Sequence, residues 1–283
     1  MNIPFTKAHG AGNDFLLSWA DQVPEVDLPS TARAICDRHT GIGADGWMLL
    51  RGQSIRLFNA DGSEPEMSGN GTRCAAALLI DSGQANGDVV IHTGAGPKHL
   101  HLMERNGRWF LFEMDMGTPK FDARAIRYSL PLRHGPQEVT IVDVGNPQCV
   151  VFVDDFPADW ETLGAEIEGH AHFPKRTNVS FVRVADEHAI DTRFYERGAG
   201  VTLSSGTGST GAAVAAILRK VVVSPVTVRT PAGESLRLRW DDSVYLTGPA
   251  EIIGAGEFYV PNELLPDGHG SLTRRARENE PRA

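Results

Sequence analysis

The sequence predicts an α+β fold of two pseudo-twofold-related halves, each a curved, mostly antiparallel sheet wrapped around a buried central helix, with a cleft between them. The segments Ser68–Ala77 and Ser205–Ala213 share a Ser-Gly-x-Gly start and later alanines at a constant offset of 137 residues. Each continues as an Ala-, Leu- and Ile-rich run, expected to be helical over about 71–82 and 208–220. A helix with almost no polar face is buried. Many short strand-like runs separated by turn residues fill the remaining chain.

The first half is predicted to span residues 1–117. A helix from Ser30 to about His39 would begin at a Ser30 or Thr31 cap and end at Gly41. The dipeptide Asn106-Gly107 predicts a hairpin, because both central positions of its turn need positive φ. Strands are expected as a pair within 3–19 and then at 47–51, 54–59, 88–93, 99–104 and 108–116.

The second half is predicted to span residues 118–254, with a further helix over 159–169. Its strands are expected at 138–144, 149–153, 178–184, 190–196, 226–230, 235–240 and 243–247. A last strand, within about 255–262, would join the first half. Residues 266–283 are rich in Gly, Arg and Glu with almost no apolar residues, which predicts a disordered tail.

Composition excludes several classes of function. The net charge of −9 and the lack of a basic block argue against a nucleic-acid-binding protein. No apolar run approaches the roughly 20 residues that a membrane span needs, and the first residues do not resemble a secretory signal. Three cysteines without regular spacing indicate a reducing compartment. We therefore expect a cytoplasmic protein that contacts neither membrane nor nucleic acid.

Two familiar site types are also disfavoured. Gly206–Gly211 matches the dinucleotide pattern G-x-G-x-x-G, but the region near 226–230 lacks the acidic residue that binds the ribose. No Gly-Lys-Ser/Thr phosphate loop is present. The histidines are scattered, and none pairs with cysteines or carboxylates at a metal-ligand spacing, so no metal site is predicted.

The two helix starts are the best candidates for a binding site. Glycines there let backbone N–H groups approach an anion closely, and helix N-termini attract negative charge. The N–H groups near Gly69, Asn70, Gly206 and Thr207 would hold one carboxylate between the halves. The alternative is that the glycines serve only a tight helix start, but the duplication favours a shared site.

Polar side chains at loops and strand ends surround these helix starts. Arg197 is the best candidate for a second carboxylate, since its guanidinium binds a carboxylate through two hydrogen bonds. Glu196 would accept a hydrogen bond from an ammonium group. The set suits a substrate with amino and carboxylate groups at both ends, and it comprises Asn13, Asn59, Asn146, Asn178, Glu196 and Arg197.

Six ordered segments within residues 3–260 give the chain a resemblance to the diaminopimelate epimerase family of cofactor-independent amino-acid racemases. These segments are His9–Phe15, Arg38–Gly46, Phe58–Glu64, Gly69–Cys74, Gly145–Pro147 and Tyr195–Gly200. The resemblance implies two similar halves, a closing cleft, a homodimer and no cofactor. It also implies conversion of LL- to meso-diaminopimelate, a small diamino dicarboxylic acid, for lysine and peptidoglycan synthesis.

The resemblance further implies a two-base mechanism, in which one cysteine removes the Cα proton and another delivers a proton to the opposite face. This sequence has serine at both positions, Ser68 and Ser205, and Gln148 where the family usually has an assisting histidine. Cys74 lies in the helix and is not the catalytic position. A thiol has a pKa near 8.5, whereas a serine hydroxyl is a far weaker acid and needs a partner base. Gln148 is no base, but Glu196 is placed to help Ser205.

Three explanations of the serines remain open at the level of sequence. The chain is a deliberate Cys-to-Ser pair that holds substrate without turnover, a natural branch with altered or slow chemistry, or an amino-acid-binding protein that lost the reaction. A related isomerase or dehydratase of the same fold, acting on another amino acid such as hydroxyproline, is the alternative enzyme. The predicted catalytic residues are thus Ser68, Ser205 and Glu196, and the other polar residues named above would bind substrate.

Overall fold

The computed structural model describes residues 1–265, and the predicted disordered tail, residues 266–283, lies outside them. The helices are α1 (Leu28–Cys36), α2 (Gly69–Asp81), α3 (Trp160–Glu168) and α4 (Gly206–Leu218). The strands of the first half are β1 (Asn2–Gly10), β2 (Asn13–Trp19), β3 (Gly46–Arg51), β4 (Ser54–Asn59), β5 (Val89–Thr93), β6 (Gly96–Asn106) and β7 (Trp109–Gly117). The later strands are β8 (Tyr128–Leu132), β9 (Gly135–Asp143), β10 (Pro147–Phe152), β11 (Asn178–Asp186), β12 (Ala189–Glu196), β13 (Gly200–Thr202), β14 (Val226–Arg229), β15 (Ser235–Trp240) and β16 (Val244–Tyr259).

The first sheet closes on itself around α2. Strands β1 to β7 follow one another in order, β16 pairs with β7, and β1 pairs back with β16. Most neighbours are antiparallel, with parallel pairs at β2–β3 and β4–β5. All α2 residues from Gly69 to Ile80 are buried, and they pack against inward-facing residues such as Phe112 and Met114. The prediction of a curved sheet wrapped around a buried helix is confirmed.

The second sheet wraps α4 in the same way. Its order is β16, β15, β14, β12, β11, β10, β9 and β8, with β13 attached to β12. The buried part of α4 extends from Gly206 to Ala216 and consists mainly of small residues, which lets the sheet approach the helix closely. Each of α2 and α4 begins two residues before the predicted glycine, and the two helices keep the 137-residue offset at both ends.

Helices α1 and α3 cover the outer faces of the two sheets. Trp47 and Ile35 share a second core cluster beside α1, and Trp160 packs edge-on against Phe181 beside α3. Helix α1 starts earlier than predicted, because the carboxylate of Asp27 accepts a hydrogen bond from the Ser30 N–H and forms the cap. The prediction of a Ser30 or Thr31 cap and an end near His39 is therefore wrong. Among residues 1–265, no helix combines the length and apolarity that crossing a membrane requires.

Strand β16 is the element that the two sheets share. It is 16 residues long and pairs with β7, β15 and β1 along its length. The prediction of separate strands at 243–247 and near 255–262 is wrong on this point, because Gly248, Pro249 and Gly254 resemble turn residues in the sequence. Neighbouring strands on both sides keep this stretch extended instead. The division at residue 254 falls inside β16, and the domain boundaries stay a prediction.

Two short strands, β8 and β13, were not predicted. Strand β8 contains Pro131, which argues against a central strand, and it lies at the end of the strand order where proline is tolerated. Strand β13 has three residues and extends β12. It carries the chain from Glu196 towards the start of α4, so it matters for the site.

We expect Gly248→Ala to destabilise the protein. A Cβ at Gly248 would lie 2.5 Å from Leu236 Cδ2 and 3.1 Å from Arg73 Cζ, so the buried neighbours must shift. Overpacking of this kind costs about 1–3 kcal/mol of unfolding free energy. Urea unfolding followed by circular dichroism measures the change.

Gly254→Ala in the same strand is the matched control, because a Cβ there meets nothing within 4 Å. Its effect on the unfolding free energy should stay within about 0.5 kcal/mol. Equal effects of the two substitutions would contradict the packing described for β16.

Candidate active site

The N-termini of α2 and α4 meet between the two sheets. A Cβ on Gly69 would lie 3.4 Å from the Gly206 Cα, and a Cβ on Gly206 would lie 3.3 Å from the Gly69 Cα. Glycine at both positions favours this close approach, because a side chain at either position would press against the other helix. Both helices thus direct free N–H groups and the positive ends of their dipoles to the same region. This arrangement suits an anion such as a carboxylate.

Ser68 and Ser205 form the same cap on the two helices. Each has an extended backbone, and its Oγ accepts a hydrogen bond from the N–H three residues later, at 3.2 Å from Gly71 and 3.0 Å from Gly208. A Cβ at Gly208 would lie 2.9 Å from Ser205 Oγ, so the second glycine of the motif is also needed. The Ser-Gly-x-Gly sequence therefore folds locally into a helix start with a hydroxyl at its tip, twice.

A cavity of about 460 Å³ lies at these tips. All twelve predicted site residues line it, although they come from distant parts of the chain. They are Asn13, Asn59, Ser68, Gly69, Asn70, Asn146, Asn178, Glu196, Arg197, Ser205, Gly206 and Thr207. Their roles stay predictions, but their placement around one cavity agrees with a single binding site.

Glu196 lies beside Ser205 at the α4 tip. Burial raises the pKa of its carboxyl, against hydrogen bonds from the Thr202 and Ser205 hydroxyls that lower it. The Thr202 hydroxyl donates to Glu196 Oε1 at 2.7 Å. A carboxylate with a raised pKa next to a hydroxyl is suited to accept a proton. Thr202 was not predicted; its place three residues before Ser205 is the signal that the sequence offered.

Ser68 has no comparable partner in the described part of the chain. Gln148 is fully buried, does not line the cavity, and packs against α4, where a Cβ on Gly211 would lie 2.7 Å from Gln148 Cγ. Its Nε2 donates to Asn146 Oδ1 at 2.7 Å, and its Oε1 has no partner among residues 1–265. Asn146 in turn donates to Thr207 Oγ1 at 3.3 Å. Gln148 thus orients Asn146 rather than activating Ser68.

Arg197 and Asn178 form the C-terminal side of the cavity. Asn178 Oδ1 accepts from the Arg197 backbone N–H at 3.0 Å, and its Nδ2 donates to the Pro147 carbonyl at 3.1 Å. Asn178 therefore fixes the turn that carries Arg197. The Arg197 guanidinium also reaches Glu66 of the first half, with Nη2 3.4 Å from Oε2. This contact bridges the cleft, and Glu66 was not predicted although it precedes Ser68 by only two residues.

A charged cluster holds Asn13 on the opposite side. Asn13 Nδ2 donates to Asp45 Oδ2 at 2.6 Å, and its Oδ1 accepts from Asn70 Nδ2 at 3.2 Å. Arg38 bridges Asp14 and Asp45. Burial opposes ionisation of Asp14, but hydrogen bonds from Arg38 and Lys7 hold the pKa of its carboxyl below the usual value. Asp14 therefore stays ionised near neutral pH, and the hydrogen bonds to Asp45 and from Asn70 restrict Asn13 to one orientation. Asn59 is similarly held, since its Nδ2 donates to Ser63 Oγ at 3.0 Å.

The three cysteines are buried and unpaired, away from the cavity lining. Burial raises the pKa of the Cys36 and Cys74 thiols to about 12 each and raises that of Cys149 as well. Such thiols are inert near neutral pH. Cys74 is therefore a core residue of α2, as expected from its position in the helix. Among residues 1–265, no group of three or more His, Cys, Asp or Glu is arranged to hold a metal ion.

Comparison with solved structures supports the fold. A hydroxyproline epimerase from Agrobacterium vitis with bound trans-4-hydroxy-L-proline matches with a TM-score of 0.69 at 16% identity, over 90% of this chain and 92% of that chain. A phenazine biosynthesis protein of the PhzF family from Bacillus anthracis matches with a TM-score of 0.63 at 14% identity, over 92% of this chain and all of that chain (100%). At these identities the likeness concerns the fold alone.

Sequence comparison shows the family. The family model described as diaminopimelate epimerase matches residues 5–121 and 140–253. A diaminopimelate epimerase of Pelotomaculum thermopropionicum is 40% identical over 279 residues, covering 90% of this chain and 98% of the relative. One from Moorella thermoacetica is 41% identical over 276 residues, covering 90% of this chain and 98% of the relative. The chain therefore belongs to the diaminopimelate epimerase family, a family of isomerases.

Proposed function

We propose that this chain binds LL-diaminopimelate and exchanges the proton at one Cα, giving meso-diaminopimelate for lysine and peptidoglycan synthesis. The observation that carries the proposal is the meeting of two serine-capped helix N-termini at one cavity. A carboxylate between the tips would have one hydroxyl on either side. The family relatives bear the name of this reaction.

The α-carboxylate would bind to the backbone N–H groups near Gly69, Asn70, Gly206 and Thr207. These donors belong to the first turns of α2 and α4, where no intrahelical acceptor exists. Loss of the Cα proton moves negative charge onto the carboxylate oxygens. Fixed donors aimed at those oxygens therefore stabilise the transition state more than the ground state.

Ser68 and Ser205 would carry the proton on opposite faces of the Cα. In one direction, the Ser205 hydroxyl passes its proton to the Glu196 carboxylate as its oxygen takes the Cα proton. The Ser68 hydroxyl then gives a proton to the other face of the carbanion and regains one from solvent, while Glu196 releases the proton that it received to solvent. Ser68 lacks a partner base within residues 1–265, because Gln148 is an amide. The reaction is therefore limited by the serines and is slow.

The distal end of the substrate would face Arg197. Its guanidinium would bind the second carboxylate, and the amide groups of Asn13, Asn59, Asn146 and Asn178 would bind the second amino group and the carboxylate. The side chains of Asn13, Asn59 and Asn178 are held by the hydrogen bonds described above. Such preorganisation reduces the entropy lost on binding.

A second candidate function is amino-acid binding without turnover. The observation that favours it is that both serine oxygens already accept helix N–H groups at 3.2 and 3.0 Å. A serine retained purely as a helix cap is a common structural feature. In this case the cavity and the substrate class are the same, and only proton exchange is absent.

The proposal includes a cytoplasmic homodimer that uses no cofactor and contacts no nucleic acid. Three buried, unpaired cysteines agree with a reducing compartment. The net charge of −9 agrees with a protein that does not bind polyanions. Size-exclusion chromatography with light scattering measures the oligomeric state.

The first test is deuterium exchange. Incubated with LL-diaminopimelate in D2O, the protein should incorporate deuterium at Cα slowly, and Ser68→Cys/Ser205→Cys should do so on the order of 10²–10⁴ times faster, because a thiol is the stronger acid. Mass spectrometry of the recovered amino acid measures the rate. Binding without exchange in the original chain, with rescue by the cysteines, identifies an epimerase that the serines block, whereas exchange by the original chain excludes a silent binder. The substrate assignment would be refuted if neither protein bound LL-diaminopimelate or exchanged its Cα proton. Binding of trans-4-hydroxy-L-proline would then be measured as the alternative.

The second test addresses Arg197. We expect Arg197→Met to weaken LL-diaminopimelate binding by about 1.5–3 kcal/mol, because a charge-assisted hydrogen bond to the distal carboxylate is lost. Calorimetric titration measures the affinity. Lysine lacks that carboxylate, so its weaker binding should change little. Arg193→Met is the matched control, since Arg193 contacts Phe156 and Trp160 outside the cavity. An equal loss of affinity for both ligands would show that Arg197 only supports the fold.

The third test addresses Glu196. As a base, its carboxyl must be ionised, so the exchange rate of Ser68→Cys/Ser205→Cys should fall as pH falls through the raised pKa of Glu196. This acid limb should lie above the usual carboxyl range near pH 4.3. Glu196→Gln should remove the limb and slow exchange about 10²-fold or more. Glu66→Gln, at another cavity carboxyl, should keep the limb. An unchanged profile in Glu196→Gln would exclude the role as base.

A further inference from the structure

Arg73 is a fully buried guanidinium in α2. Its side chain lies one turn behind the helix tip, with 0% of the residue exposed. Nε donates to the Pro249 carbonyl at 3.0 Å, Nη2 donates to Asn70 Oδ1 at 2.7 Å, and Nη1 lies 3.4 Å from the Gly69 carbonyl oxygen. The groups around it are therefore neutral oxygens.

No carboxylate within residues 1–265 forms an ion pair with Arg73, which is unusual for a buried charge. Burial lowers the pKa of Arg73 to about 10, so the side chain still carries its charge at neutral pH. Asp14, whose charge reaches the neighbouring Cys74, is itself paired with Lys7 and Arg38. A buried cation without a counter-ion is costly, and an anion bound at the helix tip would offset part of that cost.

Arg73 is also coupled to the helix tip by its contacts. It holds the Asn70 side chain, and Asn70 in turn donates to Asn13 Oδ1 at 3.2 Å. The equivalent position of α4, 137 residues later, is Thr210, whose hydroxyl donates to the Gly206 carbonyl at 2.8 Å. The α4 tip thus has no buried cation within the described residues, and it faces the Glu196 carboxylate instead. The two tips are similar in shape, but the side-chain charge beside the α2 tip is positive and the one beside the α4 tip is negative.

We propose that Arg73 supplies the fixed positive charge of the anion site, and that its missing counter-ion is the carboxylate of the bound amino acid. Arg73 does not touch the substrate and is a positioning residue. It acts through the positive electrostatic field that its guanidinium creates at the α2 tip, and through Asn70, whose orientation it fixes. The inference rests on the proposed function for the identity of the anion, but the field at Ser68 is measurable without any ligand.

The charge also makes the two proton-transfer positions unequal. An anion at residue 68 is stabilised by Arg73 and the α2 N-terminus, whereas an anion at residue 205 lies next to Glu196. The α2 tip is therefore the side at which a negative charge on the proton-transfer residue, at position 68, is favoured. The α4 tip is the side at which a neighbouring carboxylate takes up a proton.

The test introduces a thiol at the α2 tip as a probe. In Ser68→Cys, the pKa of the introduced thiol is read from the pH dependence of its alkylation by iodoacetamide, a neutral reagent. The natural cysteines are buried, with pKa values raised to about 12 or beyond the usual range, so they do not interfere. Adding Arg73→Met should raise the pKa of the introduced thiol by about 1 unit, a tenfold lower ionisation constant. Adding Arg73→Lys should leave it within a few tenths of a unit, because the charge is kept.

Arg219→Met is the matched control. Arg219 is another largely buried arginine, with 6% of its side chain exposed, but it lies at the C-terminal end of α4 and pairs with Glu138. This substitution should destabilise the fold and leave the pKa of the introduced thiol unchanged. If Arg73→Met does not fold, Arg73→Gln, which keeps an amide donor for Asn70 Oδ1, is measured in the same way.

Ligand affinity completes the test. In the original chain, Arg73→Met should weaken LL-diaminopimelate binding about tenfold or more, whereas Arg73→Lys should weaken it far less, as calorimetric titration would measure. The role of Arg73 would be overturned if the pKa of the introduced thiol rose equally with Met and with Lys at position 73. It would also be overturned if the pKa rose with neither. Failure of the original chain to bind LL-diaminopimelate would refute the proposed function. The pKa of the introduced thiol would then decide by itself whether Arg73 creates the positive field at the α2 tip.

Discussion

The contact between Gly69 and Gly206 is the constraint on which the rest of the molecule depends. Two helix N-termini carry like partial charges, so bringing them together is unfavourable without an anion between them. The two sheets impose the contact, because each encloses its helix and both share the strand β16. The flanking serines, the cavity and the surrounding amides are arranged around this point. The fold thus holds positive backbone ends at a fixed separation in advance of any ligand.

The two sides of that contact have the same local fold and different chemistry. At the α4 tip, Ser205 lies beside a carboxylate whose pKa is raised by burial. At the α2 tip, Ser68 precedes a helical turn whose Gly69 and Asn70 contact the buried Arg73, and Gln148 is buried against α4 instead of serving Ser68. The serine caps preserve the geometry of both tips, since an oxygen accepts the helix N–H well. They do not preserve acidity, so shape and proton-transfer capacity are separate properties here.

Much of the fold could be predicted from local sequence. The duplicated Ser-Gly-x-Gly motif and the apolar runs after it identified both central helices, and Asn106-Gly107 identified the turn between β6 and β7. The sequence predicts two strands in place of β16, because glycine and proline signal turns unless neighbouring strands hold the chain extended. It does not determine the start of α1, because Asp27, Ser30 and Thr31 are all good caps. The twelve residues chosen for the site line one cavity, but Glu66 and Thr202 were missed, since single residues carry no repeated pattern.

The sequence by itself determined the family, the duplicated helix starts and the serines at their tips. These features are local, because a helix cap depends on atoms three residues apart. Only the tertiary structure decided that Arg73 is buried without a carboxylate partner among residues 1–265, that Gln148 is excluded from the cavity, and that Arg197 reaches Glu66 across the cleft. These contacts join residues far apart in the chain. Burial and electrostatic environment follow from how the sheets close around the helices, which no short segment encodes.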